Sequence, residues 1–214
     1  MQRILEPELL DSLPPDHPDA LHNRRDLRLT NRILGNPGWF ERTLPGLLRP
    51  AERVLELGAG TGELSLALAR RQLPMDALDL WPQPAAWPSH RRWHRADLRG
   101  FAHYGDYAAV IGNLIFHQFS ADDLAALGRV LQRTARIVLA CEPTRRRSSQ
   151  WLFRTVAPLL GANRVSLHDA HVSIAAGFRD HELPHALGFS PEAWHLRITT
   201  TLLGAYRMIA VRRP

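Results

Sequence analysis

The chain has 214 residues, enough for one substantial hydrophobic core and too few for two ordinary domains with separate functions. Its formal charge of +6 rests on 27 basic residues that are all arginine and are scattered, with Arg145 to Arg147 the densest run, which argues against a nucleic-acid partner because such proteins concentrate charge on one face or tail. No run nears the roughly 20 apolar residues that cross a bilayer, the N-terminal stretch lacks an apolar signal-peptide core and the only cysteine, Cys141, sits in an apolar run, so we expect a cytoplasmic protein without disulfides or membrane insertion.

Polar turns at Pro14, Pro15 and Pro18 precede an apolar pattern at helical spacing from Leu21 through Leu27 to Ile33. Asn36, Pro37 and Gly38 interrupt it; Trp39, Phe40, Leu44, Leu47 and Leu48 resume it to Pro50, with Pro45 placed to shorten or kink this second helix. From Arg53 onward short apolar runs alternate with longer helical patterns: strands over Val54–Leu57 and Ala77–Leu80, with a helix over Leu64–Arg70 between them. A third strand is expected around Trp93, then strands over Tyr107–Ile111 and Ile137–Ala140, with helices over Ala121–Arg133 and Ser148–Leu159. This alternation implies parallel strands joined by crossover helices. The last two strands, Trp194–Thr200 and Tyr206–Val211, are separated only by a short turn at Leu203 and Gly204, which predicts a terminal antiparallel hairpin.

The run Val54-Leu55-Glu56-Leu57-Gly58-Ala59-Gly60-Thr61-Gly62 carries the strongest functional signal, a buried strand leading directly into a glycine-rich turn that opens a helix at Glu63. Glycines tolerate positive φ and let backbone approach a ligand closely, while the helix start offers unpaired N–H groups. A plain strand-to-helix turn needs only one glycine. A dinucleotide fingerprint would need its third glycine at position 63, where Glu63 would oppose a pyrophosphate, so a nicotinamide oxidoreductase is disfavoured. Asp79 closes the second apolar run, 23 residues after Glu56, where an acid can accept hydrogen bonds from both hydroxyls of a ribose.

VLELGAGTG resembles motif I of the class I S-adenosylmethionine (SAM)-dependent methyltransferases at every position, and the βα series closed by a hairpin is similar to their fold. The resemblance implies a doubly wound, seven-stranded, mostly parallel α/β sheet of Rossmann-like type, with the seventh strand antiparallel between the fifth and sixth. It implies that Glu56 and the backbone of Gly58, Ala59, Gly60 and Gly62 hold the methionine part of SAM, and that Asp79 binds the ribose. Trp81 and Pro82, after Leu80, are placed to pack on the adenine face, while Asp97, followed by Leu98, stands where these enzymes often bind the adenine amino group and is the preferred contact of the two. The main domain is expected over 51–214, and residues 1–50, with Arg24-Arg25-Asp26-Leu27 and Asn31, resemble the helical caps that close over SAM.

Ligands of open α/β sheets bind beyond the carboxyl ends of the strands, which places Asn113 and His117 towards cofactor and acceptor. Ser120, before Ala121-Asp122-Asp123, is expected to cap the next helix. His117 with Ser120, Asp122 and Asp123 resembles the segment of small-molecule O-methyltransferases in which histidine deprotonates a hydroxyl, although Gln118 and Phe119 depart from the usual residues. His117 is thus either a general base or part of the pocket lining. The NPPY-type motif of base N-methyltransferases is absent, since Leu114 and Ile115 follow Asn113. No metal is expected: Cys141-Glu142-Pro143 ends the fifth strand without a carboxylate cluster, and His168 with His171 lack a third ligand.

Residues 145–190 read as an acceptor-recognising insertion, rich in His168, Asp169, His171, Arg179, Asp180 and His181. The combination of Asn113-Leu114, Cys141-Glu142-Pro143, and His168-Asp169-Ala170 through Gly177-Phe178 resembles bacterial methyltransferases of secondary-metabolite pathways. The expected activity is methyl transfer from SAM to a small-molecule acceptor, an oxygen of an aromatic or polyketide-like compound. The rival readings are a nucleic-acid or protein methyltransferase using the arginine surface, and a SAM-binding protein without catalysis.

Overall fold

The computed structural model describes residues 1–14 and 16–214; Pro15, one of the expected turn prolines, lies outside the described residues. The chain opens with a segment over 1–13 that has no strand and carries one 3-10 turn, Leu10–Ser12, then helices α1 (Pro18–Leu34) and α2 (Asn36–Thr43), separated by Gly35 at φ 68°. His17 caps α1, its Nδ1 accepting the Asp19 amide at 3.1 Å. The second helix stops before Pro45 instead of continuing to Leu48, since proline has no N–H to continue the ladder and disfavours helix in the residue before it.

Seven strands form one sheet: β1 (Val54–Leu57), β2 (Met75–Asp79), β3 (Trp93–Arg95), β4 (Ala109–Asn113), β5 (Ile137–Pro143), β6 (Trp194–Thr200) and β7 (Ala205–Arg212). Their order is β3-β2-β1-β4-β5-β7-β6, with β1 to β5 parallel and β7 antiparallel to both neighbours, as the motif resemblance implies. Helices α3 (Glu63–Arg70), α4 (Ala121–Thr134), α5 (Arg147–Val156), α6 (Arg164–Ala176) and α7 (Glu182–Ala186) complete the chain. Ser120 caps α4 as expected, accepting the Asp123 amide at 3.1 Å while Asp123 accepts the Ser120 amide in return.

Both faces of the sheet are covered, and the strands show how. Along β5, Ile137, Leu139 and Cys141 join the apolar cluster of Phe40, Leu64 and Leu68 on one face. Val138 and Ala140 join Leu124, Leu127 and Leu183 on the other, the period-two alternation of a strand buried on both sides. Among the described residues no helix is long and apolar enough to cross a membrane.

Several boundaries differ from those the sequence suggests. The fourth strand begins at Ala109, not Tyr107, and runs on to Asn113. Tyr107 is buried because its ring packs in the core and its hydroxyl donates to Asp76 at 2.9 Å, so its apolar character belongs to a loop. The second strand is Met75–Asp79 and excludes Leu80, which is largely exposed. The fifth continues through Pro143, pairing with Ala205 of β7. The helix expected over Ser148–Leu159 ends at Val156, where a 3-10 turn carrying Pro158 takes over. The polar region after Asn163 contains a full helix, α6, that side-chain content alone concealed.

Candidate active site

The strand order reverses between β1 and β4, and a doubly wound sheet opens a ligand crevice at such a switch point, beyond the carboxyl ends of the strands. Both the glycine loop after β1 and the turn after β4 project there. The three glycines have positive φ, 62° at Gly58, 56° at Gly60 and 75° at Gly62. At Gly58 a Cβ would also come within 2.5 Å of the Ile115 side chain from the turn after β4, so any larger residue there would have to displace Ile115. At Gly60 a Cβ would meet no protein atom within 4 Å, so φ alone demands glycine and the backbone is open to close approach.

Asp79 and Glu56 stand at the two sides of this loop. Asp79 accepts the Gly60 amide on Oδ2 at 2.7 Å and the Trp81 amide on Oδ1 at 2.8 Å, and burial raises its carboxyl above the usual range against these bonds. Glu56 is buried and turns to the start of α3, where Oε2 accepts from the Ser65 amide at 2.9 Å and the Ser65 hydroxyl at 2.5 Å. Burial pushes its carboxyl up to about 8, and the Ser65 bonds only partly offset that.

The other residues that the sequence resemblance assigns to the cofactor are dispersed in character. Ala59 is buried against Ala77 and Trp87. Leu80 is exposed, and the Trp81 ring lies under the Arg24 guanidinium of α1 at 4.3 Å. Arg28 of α1 sits 3.6 Å from Glu63, so the first helix reaches both borders of the loop. Asp97 is held by Arg99, whose Nε lies 3.0 Å from each carboxylate oxygen, which keeps its carboxyl below the usual range. Leu98 is buried in the core and its carbonyl accepts from Tyr104 at 2.8 Å.

Asn113 belongs to a cluster that its sequence position does not reveal. Its Nδ2 donates to Asn31 Oδ1 at 3.0 Å, and Asn36 Nδ2 donates to both Asn31 Oδ1 and Asn113 Oδ1 at 3.0 Å. Two helices of the N-terminal segment are thereby tied to the end of β4. The turn that follows holds Leu114 at φ 59°, a left-handed conformation uncommon for a side chain of that size.

His117 is the most constrained group. It lies in a 3-10 turn after β4, 3% exposed, with Nδ1 2.6 Å from Glu142 Oε2 and Nε2 3.3 Å from Glu8 Oε1. Glu142, at the end of β5, also accepts the amides of Ile115 at 3.0 Å, Phe116 at 2.9 Å and His117 at 3.2 Å, so one buried carboxylate organises the whole turn. Burial works to lower the imidazole pKa, but the charge and hydrogen bond of Glu142, joined by Glu8, raise it to about 9. With that value the imidazole is protonated near pH 7.

Glu8 arrives on the N-terminal segment 1–13, which crosses the turn after β4 and α6. Arg3 donates to the carbonyls of Ala176 at 2.8 Å, His117 at 2.9 Å and Phe119 at 2.8 Å, and the Ile4 amide donates to Ala175 at 3.2 Å. Asp169 of α6 accepts the Leu9 amide at 2.7 Å, the Leu10 amide at 3.2 Å and Asn23 Nδ2 at 3.0 Å. Between segment and helix lies a cleft of about 330 Å³ lined by Glu6, Glu8, Asp11, His117, Gln118 and Ser173 among others. The sequence singles out His117, and Asn31 within the N-terminal cap, but carries no local signal that joins Glu8, Glu142 or Asn36 to them. His168 is 3.2 Å from Asp169, and among the described residues no group of three His, Cys, Asp or Glu is placed to hold a metal.

No protein-family model matches the chain, and no curated protein matches it in sequence. Solved structures do. The plantazolicin methyltransferase BpumL in complex with SAH (S-adenosylhomocysteine) superposes with a TM-score of 0.72 at 12% identity, over 95% of this chain and 93% of that one. Magnesium protoporphyrin IX methyltransferase (ChlM) from Synechocystis PCC 6803 with bound SAM gives 0.56 at 16%, over 89% and 84%. A structure describing conversion of a disulfide bond into a thioacetal group during echinomycin biosynthesis gives 0.59 at 21%, over 83% and 80%. At these identities the likeness is one of fold, and the fold is that of the class I methyltransferases.

Proposed function

We propose that this chain, which has the class I methyltransferase fold, is a SAM-dependent methyltransferase acting on a small molecule, with an oxygen of an aromatic or polyketide-like compound as the acceptor. The observation that carries the reading is the Asp79–Gly60 bond at the sheet's switch point, which fixes the glycine loop in left-handed geometry beside a carboxylate suited to a ribose.

On this reading the loop from Gly58 through Ala59 and Gly60 to Gly62, with Glu56 behind it and Asn113 opposite, receives the methionine part of SAM. Asp79 keeps lone pairs for the ribose hydroxyls after accepting its two amides. Leu80, Trp81, Asp97 and Leu98 border the adenine, where entry of the base would compete with Arg24 for the Trp81 face and with Arg99 for the Asp97 carboxylate. SAM supplies an electrophilic methyl on a sulfonium; the protein positions the acceptor in line with it and excludes water. His117 is the residue we place against the acceptor. A cleft of about 330 Å³ at its side is of a size for a small molecule. The N-terminal helices act as the cover over the cofactor, and residues 145–190 as the acceptor wall.

The test is titration calorimetry with SAH, which should bind without an acceptor. Micromolar binding supports the reading; a folded protein that binds neither SAH nor SAM refutes it.

A further inference from the structure

We propose that the donors gathered around Glu8, namely His117 Nε2, Ser173 Oγ and Gln118 Nε2, form the seat of the acceptor's reacting oxygen, that the acceptor occupies it as an oxyanion, and that Glu8 holds the seat by imitating that group. This inference rests on the methyltransferase reading above.

The donors converge from two elements of the folded body. His117 Nε2 lies 3.3 Å from Glu8 Oε1, Ser173 Oγ of α6 donates to the same oxygen, and Gln118 Nε2 reaches Glu8 Oε2 at 3.5 Å. Glu142 occupies the far ring nitrogen at 2.6 Å and so fixes Nε2 in direction. A group resting among these donors must accept hydrogen bonds, which suits phenolate or carboxylate oxygen and opposes an ammonium. The charge balance agrees: the doubly protonated imidazole already faces one carboxylate on each side, so an oxyanion replacing Glu8 preserves the arrangement, whereas an amine would add a second cation.

The negative groups lining the cleft, Glu6, Glu8 and Asp11, all belong to the N-terminal segment, while the body contributes His117, Gln118 and Ser173. Negative charge is thus brought to the donors and is not part of their wall. Also near are His168, whose charge favours ionised Glu8, and Asp11, whose carboxyl burial pushes up. Displacing Glu8 asks only for rotation of one side chain, because Leu9 and Leu10 stay anchored on Asp169. A phenol entering the seat gives its proton to water or to the displaced Glu8 carboxylate. The oxygen then forms the O–CH3 bond as the S–CH3 bond of the sulfonium breaks, leaving a neutral ether (or ester) and a thioether, with no proton taken by His117.

The experiment compares wild type, Glu8→Ala, Glu8→Gln and Glu8→Ala/His117→Ala, each saturated with SAH by calorimetry before a second ligand is added. 4-Nitrophenol, followed by the absorbance of its phenolate, should bind Glu8→Ala about tenfold or more tightly than wild type, with its ionisation shifted to lower pH. Glu8→Gln should show a smaller gain, and the double variant should lose it. Benzoate should compete if the seat takes carboxylates; failure of benzoate alone narrows the class to phenolates and leaves the oxyanion seat standing. 4-Nitroaniline, of similar shape and uncharged, should not gain. No gain in Glu8→Ala, or an equal gain for 4-nitroaniline, or persistence of the gain in the double variant, overturns the inference while SAH binding keeps the methyltransferase reading. Failure of SAH to bind folded wild type overturns both.

Discussion

The Gly60 amide donates to Asp79 Oδ2 at 2.7 Å, joining the middle of the glycine loop to the end of the second strand. The bond is charge-assisted, and the same carboxylate holds the Trp81 amide, so Asp79 both shapes the loop and faces the place assigned to the ribose. Asp79→Ala should weaken SAH binding by about 1–3 kcal/mol, the range for leaving polar partners unpaired, with the overall fold retained. Calorimetry alongside circular dichroism measures this; unchanged affinity in a folded variant removes Asp79 from the cofactor site.

Glu56 predicts a proton signal. Burial raises its carboxyl to about 8, so it is largely protonated at pH 7 in the free protein. The α-ammonium of SAH, held nearby, would favour the carboxylate and expel that proton. Binding heats at pH 7 should therefore differ between Tris and phosphate buffers, corresponding to release of a fraction of a proton, and Glu56→Gln should abolish the difference. Equal buffer dependence in Glu56→Gln assigns the proton elsewhere.

The parts of this molecule legible in the sequence are those governed by neighbours along the chain. VLELGAGTG specifies a strand, three left-handed glycines and a helix start within one stretch, and the short turn at Leu203 and Gly204 makes the final hairpin the only economical connection. Beyond that the information is non-local. Tyr107 looks like strand because it is apolar, yet its burial answers to Asp76, reached through the fold. Helix α6 is obscured because Ser166 and Asp169 are buried on it, each satisfied by α1, Ser166 donating to Asp26 at 2.7 Å and Asp169 accepting from Asn23 at 3.0 Å. His117 is readable as a strand-end histidine, but its protonation depends on Glu142 and on Glu8, 109 residues away, which no local pattern pairs with it.

Asp169 anchors the N-terminal segment through the Leu9 and Leu10 amides. Asp169→Ala leaves those amides and the buried Asn23 without their acceptor, a cost of about 1–3 kcal/mol that falls on the docking of residues 1–13. Hydrogen exchange followed by mass spectrometry should show faster exchange at Leu9 and Leu10, while strands β1, β4 and β5 keep their protection. Slowed or unchanged exchange in the segment would mean that the contacts of Arg3, Ile4 and Glu8 hold it without Asp169.

The ion pairs of His117 make stability depend on pH with a definite sign. The folded imidazole, raised to about 9, lies above its unfolded value of about 6.5, so its contribution is complete below that value and disappears as pH rises through 9. Linkage puts the loss on the order of 3 kcal/mol, read as a fall in Tm between pH 7 and 9.5. Glu8, whose carboxyl burial would raise but whose bond and charge from His117 hold it below the usual range, acts oppositely: its contribution is lost as pH falls below about 4.5. His117→Gln should flatten the alkaline fall. A Tm profile of the same slope in that variant would show that the alkaline loss originates in another group.

His117 also separates binding from chemistry. It lines the cleft beside α6, and its side chain is hydrogen-bonded to Glu142 and Glu8, not to the glycine loop, so His117→Ala should leave SAH affinity near wild type. Turnover with a phenolic acceptor should fall about 100-fold or more, whether the lost term is electrostatic stabilisation of an oxyanion or proton transfer. The pH profile distinguishes the two. A neutral base gives a rate that rises with pH as the imidazole loses its proton. A protonated imidazole holding an oxyanion gives a rate that is maintained through neutrality, once the acceptor is ionised, and declines as pH passes about 9. Retained turnover in His117→Ala would make the residue pocket lining, and the methyl transfer would then depend on alignment of the acceptor with the sulfonium alone.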